Sequence, residues 1–558
     1  MARSRPLPEI AQLFAWAVDH VRQGRLDEAE KIGARIRKLL PDSYEALHLI
    51  GVVKLKRGHA AAALPLIDAA LKLNPAASDA WSNRGLALDA LDRDSEALAS
   101  FDQSLALVPD DPEAINGRGR LLLKLNRPTE ALAVFDSAAA LMPWHLGAQI
   151  NRGNALAALG RLDEALAQYD ALSAIEPAHP GLDFNRGNAL SGLGRHRDAI
   201  AAYDQALANR PDYVAAHLNR GTALQALNRH QEALASFENA LAIEPGNPDA
   251  KHNAALSRLT LGDYRHGFTQ YEIRFRRTGM PARRRLGKPL WLGEYPLHRK
   301  TILLHAEQGL GDTIQFVRYA PLLARSGAKV VLEAPAELVT LLGRLAGVAG
   351  VVARGAPLPD FDVQCPMGSL PLASATDVAT IPAAIPYLAA SEERIAQWRP
   401  RLAALASPRV AIAWSGRAAH PNDRNRSLAL ARLAPLVCLD QVSFVSLARE
   451  VSARDAETLA GMPRITSIGA ELRDFDDTAA VLALADLVIA VDTAAAHLAG
   501  AMGRPTWILL PFSPDWRWML ERDDSPWYPT ARLYRQPAFG DWDSVVARVR
   551  EDLAGVSR

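Results

Sequence analysis

Apolar positions in the first half of the chain recur with one fixed period. Ala29, Ala63, Ala97, Ala131, Ala165, Ala199 and Ala233 are each 34 residues apart. Gly51, Gly85, Gly119, Gly153, Gly187 and Gly221 keep that spacing, as do Pro41, Pro75, Pro109, Pro143, Pro177, Pro211 and Pro245. Phe101, Phe135, Tyr169, Tyr203 and Phe237 form a fourth ladder in the same register. In the unit 78–111, the run from Trp81 to Leu88 predicts a first helix and 91–94 a turn. Ala97, Leu98, Phe101, Leu105 and Leu107 then sit at helical spacing on a second helix, which Pro109 ends because proline cannot continue the hydrogen-bond ladder. Gly85 is small, so a neighbouring helix can approach it closely. One such hairpin cannot bury its apolar face alone, so the units must stack into a superhelix. Seven units start near 10, 44, 78, 112, 146, 180 and 214, and an atypical eighth runs from 248 to 280. The first is degenerate, with Ala17 and Gly33 where other units carry the glycine and the aromatic.

Beyond residue 300 the period changes. Short apolar runs at 301–305, 329–333, 350–353, 410–414, 442–446, 465–468, 487–491 and 506–510 read as strands. Helical patterns lie between them at 313–326, 336–345, 427–437, 477–485 and 494–501. Strands alternating with helices predict parallel sheets covered on both faces. A helix at 391–406 separates two such sets, which predicts two Rossmann-like lobes. The expected organisation is an α-superhelix at 1–280, a basic linker at 281–298, a first lobe at 299–390 and a second at 391–558. In the hinge region Arg274, Arg276, Arg277, Arg283, Arg284, Arg285, Lys288, Arg299 and Lys300 crowd together, while Pro281, Pro289 and Pro296 prevent one long helix. No aromatic stacking pattern accompanies them, so a solvated linker packing the superhelix against the next domain is expected rather than a nucleic-acid site.

Composition adds exclusions. With 63 basic and 62 acidic residues the net charge is +1, which gives no pull toward nucleic acid or anionic membrane. Cys365 and Cys438 form no Cys-x-x-Cys pair, which argues against a disulfide framework or a zinc ribbon and suits a reducing compartment. Residues 1–10 do not read as a secretory signal, and the apolar stretch 479–502 is interrupted by Asp486, Asp492 and His497. A cytoplasmic protein without a transmembrane segment is expected.

Three clusters at strand ends carry candidate chemistry. The first is His305, Glu307, Gly309, Gly311 and Asp312, where the glycines allow a tight turn and Asp312 falls at a helix entry as a cap, a substrate contact, or both. The second is Trp414, Ser415, Gly416 and Arg417, followed by His420, Arg424, Arg426 and Ser427. A small-residue turn with guanidinium forks suits a diphosphate. The third is Asp492, Thr493 and His497 at a helix start, where anions are favoured and where capping is the plainer alternative. In the repeats, Asn83, Asn151, Asn185 and Asn219 each stand two residues before the ladder glycine, and Asn253 stands two before Ala255 at the same position of the eighth unit. Their amides either bond an extended peptide in a concave groove or bond within their own repeat.

The repeat pattern resembles tetratricopeptide repeats. Residues 299–540 resemble GT-B glycosyltransferases of the heptosyltransferase-like group, which share the Gly-Asp turn and the Asp-Thr-x-x-x-His element. Repeats ahead of such a module, with the asparagine ladder, also resemble O-GlcNAc transferases. The resemblance implies an inverting glycosyltransferase that needs no metal and no cofactor beyond a nucleotide-sugar co-substrate, with a UDP-sugar expected. It implies Asp312 as the base for the acceptor hydroxyl, with His305 and Glu307 as alternatives on the same loop. Charge on the leaving diphosphate falls to Ser415, Gly416, Arg417, Arg424 or Arg426 and the helix start at Thr493. A protein or peptide acceptor in the repeat groove is implied as the partner. Alternatives are a glycan- or lipid-directed enzyme with recruiting repeats, or a non-catalytic scaffold. Asp360-Phe-Asp362 and Asp541-Trp-Asp543 mimic a metal-binding Asp-x-Asp and are read as incidental.

Overall fold

The computed structural model describes residues 7–41, 43–277, 282–417 and 422–556. Helical hairpins come first, from Leu7–Arg22 and Leu26–Leu39 to Pro248–Thr260 and Tyr264–Tyr271. First helices begin at Tyr44, Ser78, Pro112, Leu146, Pro180, Val214 and Pro248, the starts that the period predicts. Two compact units divide at Ala216/His217, so the last hairpins belong with the sheets that follow.

The ladders have a steric cause. A Cβ placed on Gly85, Gly119, Gly153, Gly187 or Gly221 would lie 2.7, 2.3, 2.4, 2.5 or 2.4 Å from the ring of Phe101, Phe135, Tyr169, Tyr203 or Phe237. Each glycine is the floor on which its aromatic lies. The arginine before it pairs backward: Arg84 with Asp68, Arg118 with Asp102, Arg152 with Asp136 and Arg186 with Asp170, at 2.6–2.7 Å.

The second unit holds two all-parallel sheets. Strands β1 (Thr301–His305), β2 (Lys329–Ala334), β3 (Val348–Ala353) and β4 (Val363–Pro366) pair in the order β3-β2-β1-β4. Strands β5 (Arg409–Ala413), β6 (Ser443–Ser446), β7 (Ile465–Ser467), β8 (Leu487–Val491), β9 (Thr506–Leu510) and β10 (Ala531–Arg535) pair in the order β10-β9-β8-β5-β6-β7. Each sheet starts in its middle and winds outward both ways. A crevice therefore opens outside the carboxyl ends of β1 and β4, and of β5 and β8. One apolar cluster runs from Leu259, Tyr264 and Phe268 of the last hairpin through Ile302 and Leu304 to Val488, Trp516 and Trp527. A second cluster packs the helix Trp542–Val556 on the other face of the six-stranded sheet.

Some expectations change. The helix expected at 313–326 is broken into Leu310–Phe316, a 3-10 turn and Ala320–Arg325, with Pro321 in the first turn of the last piece. The helix expected at 427–437 shrinks to a 3-10 turn and Ala434–Val437, because Pro435 resets it. The basic linker is not simply solvated. Trp291 and Leu297 are buried, Leu290 pairs with Gln364 beside β4, and Arg274 is 2% exposed. Pro281 lies outside the described residues.

Candidate functional site

The strand-end clusters converge. Asp312 follows β1 in the helix Leu310–Phe316, and its Oδ2 accepts the Gly309 N–H at 2.9 Å. Its Oδ1 accepts from Arg517 at 2.5 Å, an arginine lent by the loop after β9. Arg517 also donates to Asp515 at 2.9 Å and to Gln315, and packs on the Trp516 ring. Those carboxylates hold its guanidinium charge firmly, although its side chain is 8% exposed and burial works against the charge. Asp312 keeps 27% of its side chain open.

Beside this pair lies the third cluster. His497 Nδ1 and the Tyr528 hydroxyl are 2.9 Å apart, its Nε2 is 3.6 Å from Asp492, and its ring stacks on Trp518. Burial pushes the Asp492 carboxyl up, but His497, the Trp518 indole and Arg517 outweigh it and hold the carboxyl below its usual range. Gly311 closes the line: a Cβ there would stand 2.8 Å from His497 Cδ2. Its smallness lets the two sheets' loops touch. Gly309 has φ −75°, which any residue adopts, so that position does not require glycine for its backbone.

In the second cluster Arg426 donates to the Asp492 carbonyl at 3.0 Å and lies across Gly416, where a Cβ would be 2.4 Å from Nη2. Ser427 Oγ accepts the Gly416 N–H at 2.9 Å, which fixes the turn. Ser415 is half-buried, and Arg417 and Arg424 are exposed. His420 lies outside the described residues. Thr493 Oγ1 and Arg426 Nε are buried with no hydrogen-bond partner among the described residues. Unsatisfied donors at strand ends are what a bound anion would engage.

Three expected site residues are taken up by structure. Trp414 is 1% exposed, and its indole donates to Asp455 at 3.1 Å, so it is core and not a ligand contact. His305 is 1% exposed beside Gln364, and burial lowers its pKa to about 4. It is a neutral core residue, because a parallel strand is covered on both faces. Glu307 is clamped by Arg274 at 2.9 Å and by the Gly368 N–H at 3.1 Å, although burial raises its pKa. Neither His305 nor Glu307 is free to serve as a base.

The Asp-x-Asp look-alikes are local devices. Asp362 accepts the Thr301 N–H at 2.7 Å, Asp541 caps the last helix through Ser544 at 3.1 Å, and Asp543 pairs with Arg432 at 2.6 Å. Arg517, Asp515 and Trp518 were missed in the sequence. Their signal was a charged and aromatic run immediately after a buried strand.

The repeat asparagines bond within the stack. Asn83 donates to the Asp79 carbonyl at 2.9 Å and Asn151 to Asn116 at 2.6 Å. Asn185 donates to Asn154 at 2.9 Å, and Asn253 is 3.5 Å from Thr222. Asn219 is half-buried and engaged.

Comparison with known families matches this division. Tetratricopeptide-repeat models match residues 48–112, 122–182 and 184–248. A model of glycosyltransferase family 9 (heptosyltransferase) matches 439–510, the span from just before β6 through β9 that carries Asp492, Thr493 and His497. The chain thus carries tetratricopeptide repeats and a glycosyltransferase family 9 domain in its C-terminal part.

Among curated relatives, Protein FlbA of Caulobacter vibrioides is 27% identical over 327 residues, which is 53% of this chain and 53% of that protein. The chain thus spans about half the length of that relative. Solved structures with similarity include a tetratricopeptide repeat protein from Parabacteroides merdae (20% identity, 44% of this chain, 98% of that one, TM-score 0.38). Another is a thermophilic tetratricopeptide repeat protein of Thermus thermophilus (29% identity, 33% of this chain, 100% of that one, TM-score 0.30). No helix among the described residues is long and apolar enough to cross a membrane.

Proposed function

We propose that this protein is a GT-B-type, inverting glycosyltransferase that takes a sugar from a nucleoside diphosphate donor and receives a protein acceptor through its repeats. The observation that carries the reading is the meeting of Asp312, Arg517, Asp492, His497 and Arg426 at the carboxyl ends of two parallel sheets. Asp312, partly open beside a crevice, takes the proton from the acceptor hydroxyl as its oxygen attacks the anomeric carbon. Charge building on the leaving diphosphate meets Arg426, Arg417 and Arg424, and the Thr493 hydroxyl at the start of the helix Ala494–Ala501. No step calls for a metal, and a UDP-sugar is the donor to try first. The protein acts in the cytoplasm.

The paired asparagines favour a second reading for the repeats. Amides that already bond their neighbours are poorly placed to read a peptide backbone, which turns the repeats toward recruiting a partner while the acceptor is a glycan or lipid. A cleft of about 500 Å3 on the first repeats, lined by Phe14, Val18, Tyr44, His48, Leu49 and Asp79, supports docking of either kind.

Calorimetry of the full chain against UDP, ADP and GDP tests the donor. Binding of one diphosphate must also raise the melting temperature by mass action. Asp312→Asn should keep that binding and lower the transfer rate about a hundred- to ten-thousand-fold. A well-folded protein that binds none of the three would overturn the transferase reading.

A further inference from the structure

The loop 511–518 brings Arg517 to Asp312, and it is held from two sides. From the sheet side, Asn425 Nδ2 donates to the Ser513 carbonyl at 3.2 Å, and the Phe512 N–H donates to Gln536 at 3.1 Å. On the other side are the last two repeats. Asn228 Nδ2 donates to the Phe512 carbonyl at 2.6 Å, and Ser513 Oγ donates to the Gln225 carbonyl at 3.2 Å. The Trp516 ring meets Tyr264 and Phe268 edge-on, with centroids 5.9 and 5.5 Å away.

Asn228 occupies a recurring position. Gly24, Gly58, Asp92, Asn126, Gly160, Gly194, Asn228 and Gly262 stand 34 residues apart, all at positive φ, in the turn between the helices of each hairpin. Glycine meets that backbone demand without strain, and asparagine tolerates it. At Gly262 a Cβ would stand 3.1 Å from Met519 Cε, so the turn presses on the residue that directly follows the loop. At 228 the side chain reaches across to Phe512, and its Oδ1 is buried with no hydrogen-bond partner among the described residues. The turn alone would be served by glycine, with no buried acceptor left unsatisfied. The amide's contact with the loop is what distinguishes this residue.

We infer that the terminal repeats are part of the transfer site, with Asn228 as a positioning residue that sets loop 511–518 and, through Arg517, the Asp312 carboxylate. Its catalytic consequence rests on the transferase reading above; its effect on the loop does not. The repeats then do more than fetch a partner, because the last two complete the site.

The test uses the full chain with Asn228→Gly, which keeps the turn and removes the amide, and Asn228→Asp, which faces a carbonyl with an acceptor. Glu232→Gln, which breaks the exposed pair with Arg229 on the same hairpin, is the control. Hydrogen–deuterium exchange should rise about tenfold at the amides of 512, 513 and 515–518 in both Asn228 variants, with exchange in the other repeats as in the wild type. Turnover should fall by up to about a hundredfold with the acceptor KM unchanged, the cost of a displaced group. The control should change neither.

Wild-type exchange at 512–518 in both variants would overturn the inference, as would a rise spread evenly over all repeats. A wild-type chain that neither binds a nucleoside diphosphate nor transfers sugar would sink the transferase reading. Exchange at 512–518 would decide the role of Asn228 in the same samples.

Discussion

In the first unit, partners lie within about one repeat of each other along the chain: Asn151 meets Asn116 across 35 positions and Arg152 meets Asp136 across 16. In the second unit, Arg517 meets Asp312 across 205 positions and Asn228 meets Phe512 across 284. The first construction is nearly one-dimensional, so a defect should stay where it is made. The second draws distant segments into one core, so a defect should spread.

The largest effect expected from this contrast is at Arg517. Arg517→Met leaves Asp312 and Asp515 facing an apolar side chain at an 8% exposed position, and should cost about 3–5 kcal/mol of the second unit's stability. Urea denaturation followed by tryptophan fluorescence reads it. A loss below about 1 kcal/mol would mean that the pair adds little to the second unit.

Acid should separate the units next. His230, His252 and His305, all in the second unit, are held near pKa 4 by burial. An unfolded histidine titrates near 6.5, so below that pH the unfolded chain binds protons that the folded one refuses. The stabilisation is present above about pH 6.5 and lost as pH falls toward 4, about 2 kcal/mol for each by pH 5. In the first unit burial also lowers His48 and His196, with Asp79 partly opposing at His48. Calorimetry at pH 7 and 5 should show the second unit losing more, and an equal loss would break the contrast.

The smallest and most local effect is expected at a ladder glycine. Gly119→Ala places a methyl 2.3 Å from the Phe135 ring and should cost about 1–3 kcal/mol. Hydrogen exchange should quicken in that hairpin and its immediate neighbours only. A rise across all the repeats would show the stack to be more cooperative than its contacts suggest.

The same contrast explains what could be read from the sequence. The repeats were legible because each ladder glycine from Gly85 to Gly221 lies under an aromatic in its own unit, so the structural cause repeats in register along the chain. Strands β1, β8 and β9 were legible as unbroken apolar runs. β4 was not, since Gln364 interrupts it and Pro366 ends it, and β10 was not, since Arg532 and Arg535 give an edge strand a polar look. Asp312, Asp492, His497 and Arg426 were found because they stand at strand ends. His305 and Trp414 stand at or beside strand ends too, but their side chains enter the core, and adjacency alone does not reveal which face a residue takes. Arg517 escaped because its meaning depends on a partner 205 positions away. The left-handed turn position escaped because it alternates among Gly, Asp and Asn, so its constant backbone is not matched by a constant residue.

That turn position also bears on how such a chain can change length. Copying or losing a whole unit ahead of Pro180 shifts every later number by 34 and leaves the amide opposite Phe512 in place. A slip of any other size breaks register at the junction, and loss of the unit holding Asn228 removes the amide itself. The array is therefore free to be edited at one end and pinned at the other, and lineages of this protein should vary in repeat number from the far end inward.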